Sequence, residues 1–145
     1  MKILKPLLFA ATTTVLLTSC GSEPALESPK NNTDYRNING NPVKIDKLEV
    51  AGYDFPKEMN WEDAKKACRT LGKGWRLPTK AELNILYKNR KKIGGFVSNY
   101  YWSSTEISYK LVDPTMTAWG QDFNSGRWDS SFKHDKYLVR AVRDF

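Results

Sequence analysis

The sequence predicts an α+β fold, in which the helices come early in the chain and the strands come late. Two segments, residues 60–72 and 78–94, combine helix-capping residues with apolar side chains at helical spacing. From residue 100 onward, short apolar segments alternate with polar positions and are separated by turn residues. All five tryptophans lie beyond residue 50, and aromatic side chains of this size bury enough area to build a core.

The N-terminus has the layout of an export signal. Lys2 and Lys5 precede an apolar run over residues 7–17, and Cys20 follows two small residues. The run is too short to span about 30 Å of hydrocarbon, and a cysteine in this place resembles a bacterial lipobox. We therefore expect residues 1–19 to be a lipoprotein signal peptide, and Cys20 to carry the lipid that holds the mature protein to a membrane.

A tether is expected between this lipid and the folded domain. Residues 20–41 are rich in Pro, Ser, Asn and Gly and show no apolar periodicity, which predicts a flexible segment. The domain itself is expected over residues 42–145, a length suited to one domain. Gly21 and Ser22 lack the aspartate that marks inner-membrane retention in some bacteria, which favours the outer membrane.

The net charge and the cysteine content indicate which partners the protein can have and whether a disulfide can stabilise it. The formal net charge of +7 falls to about +5 without the signal, which holds two basic residues and no acidic ones. A positive balance outside the cell favours contact with anionic surfaces, whereas nucleic acid is not expected as a partner of an exported, tethered protein. If Cys20 carries lipid, Cys68 has no partner for a disulfide, so core packing must hold the fold together.

The first elements of the domain are a strand and a helix. Loose alternation over residues 43–50 predicts the strand. Asn60 is a good N-cap for the helix, Asp63 suits its positive end, and Gly72 is a natural stop. The apolar face of this helix is expected to hold Trp61, Ala64, Ala67 or Cys68, and Leu71.

A second helix begins with a Thr79-x-x-Glu82 capping box and is expected to end at Gly94. Leu83, Leu86 and Tyr87 form its apolar face. Cations that suit the negative end of the helix dipole crowd its final turn: Lys88, Arg90, Lys91 and Lys92. These cations could contact acidic polymers or lipid headgroups, although a solvated helix end is the simpler interpretation.

Strands are predicted in the rest of the chain, over residues 100–105, 116–123, 127–132 and 137–143. Asn124-Ser125-Gly126 is a turn signal, so the strands on either side of it can pair antiparallel. The last strand alternates its faces through Tyr137-Leu-Val-Arg-Ala-Val-Arg143.

Several of these segments match a known pattern in order and spacing. They are Trp61–Cys68, Gly74–Leu83 with GWRLPT, Tyr101–Glu106 with YWSSTE, Ala118-Trp119, and Val139–Arg143 with VRAVR. In this combination the chain resembles the Lcl C-terminal domain family, a domain of unknown function in bacterial envelope proteins, and is similar to the Fib-succ major paralogous domain. The resemblance implies a C-type-lectin-like fold, with two helices flanking a small, mostly antiparallel sheet whose first and last strands pair.

Such folds include glycan binders, protein binders and a few oxidases, among them the formylglycine-generating enzymes, so fold alone does not assign function. The sequence departs from the lectin pattern in two ways. Cys68 has no cysteine partner in the last strand, and Asp113-Pro114 and Trp128-Asp129 are only fragments of a calcium-dependent sugar site. We therefore expect no metal and no cofactor.

No catalytic residue is expected. Arg76-Leu77-Pro78-Thr79 is explained as a buried anchor followed by a helix cap, with Arg76 pairing to an acid nearby. Cys68 is interpreted as a small buried hydrophobe, and His134, the sole histidine, as a surface turn residue. Trp102 and Trp119 are predicted to lie in the core, whereas Trp128 could serve either packing or binding.

The binding site is predicted in the loop region over residues 122–131, because loops on a rigid scaffold carry recognition. Its expected ligand-binding residues are Asp122, Asn124, Arg127, Trp128 and Asp129. The leading hypothesis is an envelope-anchored, non-catalytic binding or adhesion module with a glycan or protein ligand. Two alternatives remain: an oxidase like the formylglycine-generating enzymes, which requires a reactive Cys68, and a structural accessory lipoprotein of an envelope complex.

Overall fold

Three helices and six strands make up the part of the chain that the computed structural model describes, residues 37–108 and 115–145. In chain order they are β1 (Val43–Ile45), β2 (Leu48–Val50), α1 (Trp61–Thr70), α2 (Lys80–Lys88), α3 (Arg90–Ile93), β3 (Tyr100–Glu106), β4 (Thr117–Asp122), β5 (Trp128–Phe132) and β6 (Val142–Asp144). The predicted signal, Cys20 and the tether up to residue 36 lie outside the described residues. None of the described helices is long and apolar enough to cross a bilayer.

The strands form two antiparallel sheets, ordered β1-β2-β6 and β3-β4-β5. This confirms the α+β class, although the resemblance implied one sheet with two helices. The implied pairing of the first and last strands holds for β2, whose Glu49 lies opposite Arg143 of β6, whereas the first strand β1 pairs with β2.

The prediction of a single strand over residues 43–50 is wrong, because the chain turns back in its middle. Ile45 of β1 lies opposite Leu48 of β2, which leaves Asp46 and Lys47 as a two-residue turn. Asp46 has φ 54°, a left-handed conformation that aspartate tolerates better than most residues. A two-residue turn interrupts the alternation of apolar and polar residues so briefly that the sequence pattern does not reveal it.

The first helix has the predicted cap and the predicted buried face. The Asn60 side-chain oxygen accepts a hydrogen bond from the Asp63 backbone N–H at 2.9 Å, and Gly72 follows the C-cap with φ 121°. Four side chains on one face are buried: Trp61, Ala64, Ala67 and Cys68. The Trp61 indole N–H also donates to the Ser103 carbonyl at 2.8 Å, which joins this helix to β3.

The capping box of the second helix is confirmed, but its predicted end is wrong. Thr79 and Glu82 make both reciprocal hydrogen bonds of the box. The Arg76 guanidinium also donates two hydrogen bonds to the Glu82 carboxylate, at 2.7 and 2.9 Å. The helix breaks at Asn89, and the short α3 then runs to Gly94. The Asn89 side-chain amide donates to the Ile85 carbonyl at 2.9 Å, a local bond that helps to close α2.

The last segment is mostly not a regular strand. Only its end forms β6, whereas Tyr137 and Leu138 make isolated bridges to Met59 and Tyr101. Further along, the Val139 and Ala141 carbonyls accept hydrogen bonds from the N–H groups of Phe55 and Ala51, at 3.0 and 2.9 Å. The segment changes its neighbours every few residues because it runs between the two sheets and joins them.

Two apolar clusters fill the interior. The first is built around three tryptophans, Trp61, Trp75 and Trp102, and also includes Ile38 and Cys68. The second joins α2 to both sheets through Leu83, Leu86, Tyr101, Phe123 and Val142. Most of the tryptophans of the sequence therefore pack in the apolar core, as their number predicted.

A buried cation lies where the last segment passes between the sheets. The Arg140 side chain is fully buried, and its Nε donates to the Asp54 carboxylate at 2.6 Å. Its terminal nitrogens donate to backbone carbonyls, including those of Ala51 at 3.1 Å and Gly95 at 2.9 Å. The Tyr101 hydroxyl donates to the other Asp54 oxygen at 2.7 Å, so the buried pair is satisfied on both sides.

Replacing this arginine with an unbranched apolar residue is expected to destabilise the protein severely. Arg140→Met leaves the Asp54 carboxylate without its cation, and we expect the free energy of unfolding to fall by about 3–5 kcal/mol. Chemical denaturation of the full chain measures the change. Arg127→Met, at an exposed turn position, is the matched control and should stay within about 0.5 kcal/mol of wild type; equal losses in the two variants would contradict the role of Arg140.

The Arg76–Glu82 pair predicts an acid-dependent loss of stability. Burial raises the pKa of Glu82, but hydrogen bonds from Arg76 and the Thr79 backbone outweigh it, and the net pKa lies below its usual value. Because the folded-state pKa is depressed, this stabilisation is present above the unfolded-state pKa and is lost as pH falls through the folded one. Stability curves from neutral to acidic pH should therefore be flatter for Glu82→Gln than for wild type. Arg76→Gln should remove much of the same dependence, and parallel wild-type and Glu82→Gln curves would refute the assignment.

Candidate functional site

Two half-buried tryptophans and a lysine meet on one face of the sheet β3-β4-β5. The Lys80 Nζ lies 3.2 Å from the centroid of the Trp119 ring and 4.9 Å from that of Trp128. The two indoles are 6.4 Å apart between centroids, with their planes at 81°. We name Lys80, Trp119 and Trp128 the tryptophan–lysine site.

Strand register and a helix cap bring these three residues together. Trp119 lies opposite Ser130, and Trp128 lies opposite Gln121, so both indoles project from the same face of β4 and β5. Lys80 is the first residue of α2, directly after the Thr79 cap, and its backbone N–H donates to the Thr105 hydroxyl at 2.9 Å. The start of α2 is thus fixed to β3, which places the Lys80 amine over the tryptophans.

The Lys80 ammonium lies against aromatic rings instead of a carboxylate. Burial lowers its pKa, and no carboxylate in the described part of the chain forms an ion pair with it. The indole faces attract the ammonium through their quadrupoles, an interaction worth about 0.5–2 kcal/mol. The site therefore combines a flat apolar surface with a positive charge that no side chain of the site neutralises.

The predicted ligand-binding residues fall into two groups, and among the turn members the Asp122 side chain holds the turn itself. The Asp122 carboxylate accepts from the Asn124 N–H at 2.8 Å and from the Ser125 hydroxyl at 2.6 Å. These bonds lower the pKa of Asp122, with that from Ser125 the largest cause. Asn124 and Arg127 are exposed. Gly126 has φ 79° and packs against the Tyr87 ring, where a Cβ would clash.

Asp129 points away from Trp128, to the opposite face of the sheet. Its carboxylate accepts from the Tyr137 hydroxyl at 2.9 Å and from the Ser131 hydroxyl at 3.0 Å. Neighbouring residues in a strand alternate faces, so one ligand on a single face cannot contact both side chains. Asp129 ties the last segment to β5, and Trp128 is the member of the predicted set that lies in the tryptophan–lysine site.

Lys80 and Trp119 are the site residues that the sequence prediction missed. The core prediction is confirmed for Trp102, which is buried and donates from its indole N–H to the Met59 carbonyl at 2.8 Å. It is wrong for Trp119, which is half-buried and belongs to neither apolar cluster. Counting residues outward from the Asn124–Gly126 turn pairs Asp122 with Trp128, one residue away from the observed pairing of Gln121 with Trp128. That count places Trp119 and Trp128 on opposite faces, so the turn signal alone does not reveal the site.

A separate open groove of about 410 Å³ lies between α1 and the GWRLPT segment. Its lining includes three cations, Lys65, Arg69 and Arg76, together with Trp75 and Leu77. Arg76 is engaged by Glu82 and, at 3.0 Å, by Asp144. One of the three cations of this groove is therefore already neutralised.

The family model described as the Lcl C-terminal domain matches residues 30–143. The chain belongs to the Lcl C-terminal domain family. It is also 30% identical over 92 residues to the major fimbrium tip subunit FimD of Porphyromonas gingivalis. That match covers 57% of this chain and 14% of FimD, so the chain spans about a seventh of the length of this relative.

Solved structures confirm the fold of this Lcl C-terminal domain. Botrocetin superposes with a TM-score of 0.53 and the snake venom toxin convulxin with 0.54, each at 15% identity. The matches cover 72% and 73% of this chain and 96% of each of the other chains. At this identity the likeness shows the fold alone, and that fold is the predicted C-type-lectin-like one.

The GWRLPT segment of this Lcl C-terminal domain has the structural role expected of it. Leu77 is buried, Thr79 caps α2, and Arg76 pairs with Glu82. The remaining candidates for chemistry lie apart: His134 is exposed and stacks on Phe132, with ring centroids 5.3 Å apart. Within residues 37–108 and 115–145, no three His, Cys, Asp or Glu side chains gather as a metal site would require.

Cys68 of the Lcl C-terminal domain is fully buried, as predicted, and burial raises its pKa to about 12. We expect its thiol to react only when the protein unfolds, since thiolate is the reactive form. The native full chain should consume the same amount of a thiol reagent in the wild-type form as in the Cys68→Ala variant. The variant serves as the blank for any other thiol. In denaturant the two should differ by one equivalent, and fast extra labelling of native wild type would contradict the inert thiol.

Proposed function

We propose that this chain is a non-catalytic binding or adhesion module of the bacterial cell envelope. In this proposal a lipid on Cys20 anchors it, residues 20–41 form the tether, and the domain over residues 42–145 binds a glycan or protein ligand. The observation that carries the proposal is the tryptophan–lysine site. The outer membrane is the favoured location.

The physical argument rests on how the two indoles are placed. A tryptophan that is held rigidly and left partly accessible gains much contact area on binding and loses little side-chain entropy, which is why tryptophans dominate binding hot spots. Trp119 and Trp128 are both held on sheet strands, with their ring planes at 81° to each other. The Lys80 ammonium beside them supplies a hydrogen-bond donor and a charge.

Similarity to FimD supports a place at the cell surface, because FimD is described as the tip subunit of a fimbrium. The same description favours the second candidate function, an accessory subunit of a larger envelope assembly. The oxidase alternative needs a reactive Cys68, and the buried thiol with its raised pKa argues against it.

The proposal is tested by binding of the full chain to arrays of glycans and of envelope proteins. Trp128→Ala is expected to weaken binding of the ligand so found by about 30-fold, the effect of a hot spot worth about 2 kcal/mol. Phe145→Ala is the matched control: Phe145 is an exposed ring with the Lys44 Nζ 4.2 Å from its centroid, beside the other sheet. The proposal fails if nothing on either array binds in a way that depends on Trp128.

A further inference from the structure

We infer that the outer edge of β5 is a docking edge for an acidic peptide, which adds to the sheet as a fourth strand beside Trp128 and Ser130. This inference rests on the proposed binding function and names its ligand as an extended protein segment. Main-chain pairing would supply affinity, and the tryptophan–lysine site would select side chains.

The edge is defined by the sheet order and by the ladder. β5 pairs with β4 alone, at the margin of β3-β4-β5. The Arg127 carbonyl accepts from the Asp122 N–H at 2.9 Å, and the Lys133 N–H donates to the Met116 carbonyl at 2.8 Å. Bonding positions alternate along an antiparallel pair, so the backbone groups of Trp128 and Ser130 point outward.

These outward groups are open in the described part of the chain. No hydrogen bond there engages the outward N–H or carbonyl of Trp128 or Ser130, and Ser130 is exposed. The opening has a defined end, because the N–H and carbonyl of Phe132 are both bonded to Asp135, at 3.1 and 2.9 Å. The free edge is therefore short, which limits uncontrolled pairing yet leaves room for one peptide segment.

The charge around this edge selects an acidic partner. Lys80 and the exposed Arg127 flank Trp128, and neither forms an ion pair with a described carboxylate. The same face offers an apolar contact at Phe132, which is 50% exposed. A peptide that alternates acidic and apolar side chains places all of its acidic groups on one face, which can be the face of Lys80. A second copy of this edge would instead bring like charges together.

The test uses a synthetic peptide of alternating glutamate and valine, with a lysine–valine peptide of equal length as control. Calorimetry with the full chain is expected to show binding of the glutamate peptide alone. Ser130→Pro removes the outward N–H without touching the β4 ladder and should abolish binding. Ser130→Ala keeps that N–H and separates the main-chain effect from loss of the hydroxyl. Lys80→Met is expected to weaken binding about tenfold.

A second measurement does not depend on whether the proline variant folds. Hydrogen exchange at the Trp128 and Ser130 amides of wild type should slow when the glutamate peptide is added. Equal binding of both peptides, unchanged exchange at these amides, or self-association through β5 in sedimentation would overturn the inference. If the peptide fails to bind while an arrayed glycan binds in a Trp128-dependent way, the inference falls and the proposed function stands; if neither binds, both fall.

Discussion

The architecture depends on one buried ion pair, between Arg140 and Asp54. A guanidinium withdrawn from water is tolerated only when its donors are satisfied, and here backbone carbonyls from residues 51–52 and 94–95 complete its shell. Those carbonyls come from two segments far apart in the chain, so the pair fixes both against the last segment. The Tyr101 hydroxyl, whose pKa is raised first by burial and then by Asp54, stays a donor to that carboxylate.

Further hydrogen bonds hold the start of α2, and with it the tryptophan–lysine site, to the two sheets that the buried ion pair joins. Arg76 links Glu82 in the first turn of α2 to Asp144 in β6, so the helix start is tied to the same sheet that the last segment enters. The Lys80 N–H bond to Thr105 ties the helix start to the other sheet. Because these contacts hold the start of α2 to both sheets, the Lys80 amine stays over the two indoles although no described carboxylate pairs with it.

The surface and the interior of this domain use aromatic residues for different purposes. Trp61 and Trp102 are buried and satisfy their indole N–H groups with backbone carbonyls, so they bind the elements together. Trp119 lies outside both clusters, Trp128 packs against the edge of the second, and the Lys80 amine lies over both rings. The recognition surfaces that we propose for this C-type-lectin-like scaffold are these two indoles with Lys80 and the edge of β5.

The sequence by itself determined the local features: the Asn60 cap, the Thr79–Glu82 capping box and the Asn124–Gly126 turn. Each depends on groups within a few residues of one another, so the pattern suffices to find it. The motifs also identified the family, and with it the fold class. Tertiary structure alone decided that Arg140 would be a buried centre and that Lys80 would meet Trp119 and Trp128. Those contacts join side chains about 40 to 90 positions apart, and their geometry follows from strand register and element packing, which local spacing does not encode.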